Sequence, residues 1–216
     1  TMRTVRWMTS GLALAALLPA VGAAQSNRPF QDSWFWGAKA GVMTFSTSTV
    51  SNHIAPSIGF DMIVTRNKGG LYISGEQDFF NTTSSVTDNQ GNNYRVAMKD
   101  MRRYSAAALA FPVQWGALRP YGGVGFSMNL IQQVGQIDQP ADPLLEPQIS
   151  DQLRNNRDRI SFMALAGLQA SYRRFSLFGQ VTYMPSAANF LLNGRSTYML
   201  EGGIRYNVGS SIDRPE

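Results

Sequence analysis

The sequence predicts an all-β protein: eight antiparallel strands running up and down around a barrel that crosses a membrane. Three observations lead there. The first is alternation with a period of two, cleanest over residues 196–208 (STYMLEGGIRYNV). There Tyr198, Leu200, Gly202, Ile204, Tyr206 and Val208 share one face, while Thr197, Met199, Glu201, Gly203, Arg205 and Asn207 share the other. The second is that eight such segments are joined by connections that run long, short, long, short, the habit of a barrel with turns at one rim and loops at the other. The third is the gathering of aromatic residues at both ends of the apolar faces, as expected for girdles flanking a lipid band about 25 Å tall.

Taken in order, strand one covers 33–46, with Trp34, Trp36, Ala38, Ala40 and Val42 on one face and Gly37, Lys39 and Gly41 on the other. Strand two covers 54–66 and alternates Ile58, Phe60, Met62 and Val64 against Ser57, Gly59, Asp61 and Thr65. The turn NKGG follows, and its glycines tolerate a positive φ. Strand three, 71–80, sets Leu71, Ile73 and Phe79 opposite Tyr72, Ser74, Glu76 and Asp78; a polar stretch, 81–99, then reads as a long loop. Strand four, 101–115, is rich in alanine, and alternation does not assign its faces. Strand five, 119–131, places Gly122, Val124, Phe126, Met128 and Leu130 together. The segment 132–158, with Pro140, Pro143 and Pro147, reads as the longest loop; its end, ISDQLRNNRD, could form a helical turn with Ile149 and Leu153 on one side. Strand six is 159–172, strand seven 175–184, with the short turn Arg173-Arg174 between them, and strand eight closes the set at 196–208.

The girdle residues sort by rim. Trp34, Trp36, Trp115, Tyr172, Phe175 and Tyr206 belong to the short-turn end, and Phe45, Phe79, Tyr183 and Tyr198 to the loop end. An even number of strands leaves both chain ends at the short-turn rim. That rim would face the periplasm.

Composition sets the remaining bounds. Hydrophobic content of 44% with 15% charge argues against global disorder. The absence of cysteine excludes disulfides, thiolate metal sites and a cysteine nucleophile. The net charge of +5 includes Arg3 and Arg6 and is too small to argue for nucleic acid. Those arginines precede the apolar run GLALAALL, then Pro19 and the small residues VGAA, the layout of a secretory signal peptide cleaved after Ala23 or Ala24. About ten apolar residues fall short of the roughly 20 that a helical span needs. The expected organisation is a signal peptide at 1–24, a periplasmic lead at 25–32, the barrel at 33–208 and a periplasmic tail at 209–216.

The signal segment with eight such strands resembles the small outer-membrane barrel families, namely the OmpA transmembrane domain, OmpX and the broader "outer membrane protein beta-barrel domain" group. RPYGGVGFSMNL, 119–130, is similar to a run in the fifth strand of that group. The resemblance implies residence in the bacterial outer membrane. It also implies a last-strand signal for the barrel-assembly machinery, whose spacing Glu201, Gly203, Tyr206 and Val208 fit. The residues GSSIDRPE beyond Val208 depart from the terminal aromatic of those families.

An eight-stranded barrel holds side chains but hardly a pore. The inward charges expected are Lys39, Asp61, Glu76, Glu201 and Arg205, with Asp78 and Arg103 as further candidates. Their mixed signs suggest mutual pairing, since an unpaired buried charge costs several kcal/mol; a narrow ion path gated by exchange of partners is the alternative. A lipid-modifying enzyme would need a nucleophile, a base and an orienting acid. The sole histidine, His53, has Ser51 and Ser57 nearby but no acidic flank, and reads as a loop residue. GGVG (122–125) lacks phosphate-loop spacing, and DNQGNN (88–93) lacks the spaced carboxylates of a calcium loop. Arg95, Lys99, Arg102, Arg103, Arg154, Arg157 and Arg159 cluster near the outer rim and could meet lipid phosphate. The expectation is therefore a non-enzymatic, monomeric outer-membrane barrel without metal or cofactor. It would support membrane integrity and surface contact or adhesion, with outer-membrane lipid and the assembly machinery as partners.

Overall fold

Eight strands follow one another around a closed barrel in the computed structural model, which describes residues 30–87, 91–138, 157–185 and 195–211 together with 147, 150, 151, 153, 191 and 192. The strands are β1 (Ser33–Ser46), β2 (His53–Arg66), β3 (Gly69–Thr87), β4 (Asn93–Ala110), β5 (Leu118–Gln136), β6 (Asp158–Tyr172), β7 (Phe175–Met184) and β8 (Arg195–Ser210). Every neighbour is antiparallel, and β8 returns to pair with β1, Lys39 opposite Gly203 and Gly41 opposite Glu201. Closure gives every strand a neighbour on both sides and leaves no edge strand, a condition for spanning hydrocarbon with strands. The expected signal peptide, the lead before Phe30, Ile149 and the tail from 212 onward lie outside the described residues.

The period-two pattern resolves into a lipid face and a lumen face. Val124, Phe126, Ile160, Leu177 and Leu200 project outward, each more than half exposed in the isolated chain. That much contiguous apolar surface is incompatible with water and marks a bilayer contact. Trp34, Trp36, Trp115, Tyr172, Phe175 and Tyr206 project outward at the short-turn rim, and Phe79, Tyr183 and Tyr198 do so at the opposite one. Arg174 Nη1 donates to the Tyr206 hydroxyl at 3.0 Å, and Tyr183 packs on Tyr198 with centroids 5.3 Å apart.

Phe45 does not join the girdle. Its position in β1 has the parity of Lys39 and Met43, so its ring turns inward, where it is 1% exposed and packs on Phe80 (5.0 Å) and His53 (5.2 Å). Closeness to a rim is not enough; the face follows from parity. Trp115 also differs in setting. The sequence puts it in strand four, but β4 ends at Ala110, and Trp115 bridges Leu118 around Gly116, whose φ is +61°.

The stretch 81–99, expected as loop, is mostly strand. Asn81 through Thr87 pair with Asn93 through Lys99, so the β3–β4 connection shrinks to residues 88–92. Threonine suits a strand, but outside the membrane both faces are polar, so the alternation fades. The ladder breaks once, where Phe79 and Phe80 oppose Asp100 alone; Asp100 adopts φ +54°, and its carboxylate accepts from the Phe80 amide at 3.2 Å. The tight β2–β3 turn also differs in detail. Its left-handed residue is Asn67, at φ +53°, while Gly69 and Gly70 already belong to β3. In β4, Arg103, Ser105, Ala107 and Leu109 face inward, and Arg102, Tyr104 and the remaining alanines face outward.

The lumen is layered. At the periplasmic mouth Phe30, Phe35, Ile63, Leu109, Phe111 and Tyr121 form an apolar plug, with Phe30 4.7 Å from Phe111 in an edge contact and Phe111 5.7 Å from Tyr121. The lead is stitched to the barrel by the Thr65 hydroxyl, which donates to the Phe30 carbonyl at 2.5 Å. At the other end Met43, Phe45, Phe80, Met98, Met101 and Ile131 form a second apolar layer. Polar groups occupy the space between.

Replacing Val124, at mid-height on the lipid face, by arginine is expected to destabilise the barrel by about 2–4 kcal/mol. The same change at Ser51, exposed in the β1–β2 loop above the membrane, should stay within about 0.5 kcal/mol. Urea unfolding from lipid vesicles checks this; equal effects at the two positions would contradict the assigned lipid band.

Candidate functional site: a charge chain inside the barrel

The long polar side chains of the lumen reach one another because small residues stand beside them. A Cβ at Gly37 would fall 2.4 Å from Asp61 Oδ1 and 2.7 Å from Arg205 Cγ, and one at Gly59 would fall 2.8 Å from Glu76 Cγ. Real contacts are not that close, so glycine at these two positions clears the volume the charges occupy.

Arg205 and Asp61 anchor the periplasmic half. Arg205 Nε and Nη2 donate to the two oxygens of Asp61 at 3.0 and 2.7 Å, and neither residue is exposed at all. This two-point fork is the strongest geometry available to an ion pair. Arg205 Nη1 also donates to Gln169 Oε1 at 3.0 Å, and its guanidinium lies 3.5 Å from the centroid of the Phe178 ring, a cation–π contact in dry surroundings.

The chain then climbs the lumen through Gln180. Its Oε1 accepts from Tyr121 at 3.0 Å and from Arg205 Nη2 at 3.3 Å, while its Nε2 donates to Glu201 Oε2 at 2.9 Å and to Tyr72 at 3.2 Å. Glu201 pairs with Lys39 Nζ at 3.0 Å. Lys39 also donates to the Tyr72 hydroxyl at 2.8 Å and pairs with Glu76. Glu76 accepts from Ser74 at 2.8 Å and from Arg103 Nη1 at 3.0 Å. Arg103, 1% exposed, donates to Asn129 at 3.0 Å, lies 2.9 Å from Asp78, and touches the thioethers of Met43 and Met199. Neither Asp78 oxygen has a well-aligned hydrogen-bond donor, so that contact is one of charge alone.

The structure thus brings Lys39, Asp61, Glu76, Glu201 and Arg205 into one connected set and adds the further candidates Asp78, which shares the face of Glu76, and Arg103, whose inward position alternation left open. Tyr72, Tyr121, Phe178 and Gln180 link or cover the charges. They are legible as inward residues by parity, but their role depends on partners several strands away, and pairwise register cannot be read from one strand. Of the residues fitting the assembly spacing, Glu201 lies in this set, Gly203 faces the lumen beside Phe178, and Tyr206 and Val208 face lipid. His53 opens β2, and its ring packs on Phe45.

Outside the membrane band, Arg95 Nε and Nη2 each donate to Asp138 at 3.0 Å, joining β4 to the end of β5. These hydrogen bonds hold the Asp138 carboxyl below the usual carboxylate range. The pair is solvent-exposed and contributes little stability.

No protein-family profile and no curated protein matches the sequence. Solved structures do match. The surface protein NspA of Neisseria shares 14% identity over 80% of this chain and 96% of its own, with a TM-score of 0.54. OprG from Pseudomonas aeruginosa shares 11% over 83% and 98%, with a TM-score of 0.50. Ail of Yersinia pestis, the attachment invasion locus protein, shares 16% over 81% and 97%, with a TM-score of 0.42. The first two establish the fold, that of the small eight-stranded outer-membrane barrels. The exterior apolar belt and the closed sheet mark a bilayer-spanning barrel by a separate physical route.

Arg205→Leu would strand Asp61 as a lone buried charge, with an expected loss of about 3–5 kcal/mol. Adding Asp61→Leu should recover most of it, because removing both partners removes the imbalance. Unfolding curves for the two single variants and the double variant measure the coupling. A double variant no more stable than Arg205→Leu would refute the pairing.

Proposed function

We propose that this chain is a non-enzymatic outer-membrane barrel that stabilises the envelope and uses its extracellular strands for surface contact. The observation that supports this reading is the filled lumen. Seven charged side chains interlock at mid-height, and apolar layers stand above and below them. Such an interior is packed for rigidity rather than flow.

The contact surface would be the ladder that rises beyond the outer girdle. Ser48 caps it by bonding the hydroxyls of Ser84 and Ser85 at 3.1 and 2.9 Å, and Thr49 donates to the Thr83 carbonyl at 2.7 Å. These bonds present a stiff hydroxyl-rich platform, which lowers the ordering cost of a surface contact. During biogenesis, Tyr206 and Val208 on the lipid face of the closing strand would be read by the assembly machinery.

The unbroken run of polar contacts from Asp61 to Asp78 favours a second reading, a narrow ion path opened by partner exchange. Planar-bilayer recording of the refolded protein separates the two. The expected result is a silent bilayer. Reproducible conductance steps that vanish in Glu76→Gln or Arg205→Leu would overturn the sealed-barrel reading.

A further inference from the structure

We propose that the periplasmic mouth of the barrel carries a binding site for a small soluble anion with an apolar body, of the alkyl-phosphate or alkyl-carboxylate class. A cavity of about 490 Å³ opens there, floored by Phe30 and Phe111 and walled by Val113, with Lys68, Gln114 and Arg119 around it. Its size is that of a small-molecule site.

The charges are one-sided. Arg119 sits over Phe30, its guanidinium carbon 4.0 Å from the ring centroid, and its Nη2 donates to Gln114 Oε1 at 2.8 Å. Gln114 is itself fixed, its amide donating to the Gly116 carbonyl at 2.8 Å. The Arg119 side chain is therefore positioned, yet no carboxylate pairs with it or with Lys68 among the described residues, and the cavity lining contains no acid. Every cation of the lumen above, by contrast, has a carboxylate in contact. Two cations without a carboxylate partner among the described residues, beside Phe111 and the exposed side chain of Val113, fit an anionic head on a short apolar tail.

Parity selects the source. Arg119 pairs with Gln169, a lumen-facing residue, so the site opens into the barrel mouth and toward water rather than toward the lipid face. A soluble periplasmic amphiphile can reach it directly, whereas a bilayer lipid would have to leave its leaflet.

The test uses the full refolded protein in nanodiscs of zwitterionic lipid, titrated with hexyl phosphate, with hexanol as the uncharged control. Saturable shifts of the Lys68, Phe111 and Arg119 amide resonances are expected with hexyl phosphate only. Arg119→Gln should weaken binding about tenfold, the scale of one lost charge-assisted hydrogen bond. Lys68→Gln lies on an exposed turn where folding is not at risk and should weaken it as well. Absence of saturation, equal response to hexanol, or unchanged affinity in both variants would overturn the site. Loss of hexyl phosphate binding in nanodiscs containing phosphatidylglycerol would identify a membrane lipid as the occupant and overturn the soluble-ligand assignment.

Discussion

A charge enclosed by a β-barrel has no water to turn to, and the interior of this protein is arranged around that fact. Three cations and four carboxylates share the lumen, and each cation touches at least one carboxylate within it. The requirement reaches into the backbone. A side chain at Gly37 would enter the space of the Arg205–Asp61 fork, and one at Gly59 would meet the Gly75 carbonyl and Glu76. It reaches across the sheet as well, since Asp61 and Arg205 come from strands β2 and β8, separated in the barrel wall by β1. The pairing therefore depends on closure, and closure is favoured by the pairing.

The two ends of the lumen answer different demands. Aromatic rings seal the periplasmic mouth, where the lead folds back as Phe30 and is held by Thr65. Methionines and Phe45 fill the outer half, and the unbranched thioether fits gaps between its neighbours. Beyond the membrane the strands continue as hydroxyl-rich ladders, and the protein changes from a lipid-solvated object to a water-solvated one without changing its sheet.

Much of this was legible in the sequence, because a strand buried in lipid on one face and in a polar core on the other carries maximal contrast. β8 and the parity of Lys39, Asp61, Glu76, Glu201 and Arg205 follow from that contrast alone. The failures fall where the contrast disappears or where another rule competes. Residues 81–99 lost their pattern because both faces turn polar above the bilayer. The face of Arg103 was hidden by alanines that suit either side. Phe45 lies as near a rim as a girdle residue, but its parity turns it into the lumen. What no single strand could disclose is which charge meets which, since that depends on the stagger of all eight strands; the bridging roles of Tyr72 and Gln180 belong to this class.

The charge chain is enclosed away from water, with each of its cations against a carboxylate. Hydrogen exchange of the lumen side chains in lipid nanodiscs measures this directly, by following the Arg205 Nε–H and Gln180 amide protons after transfer to deuterated water. A dry chain predicts that these protons persist for hours while the exposed Arg95 Nε–H exchanges at once. Exchange of Arg205 as rapid as that of Arg95 would show a wetted lumen and contradict the account.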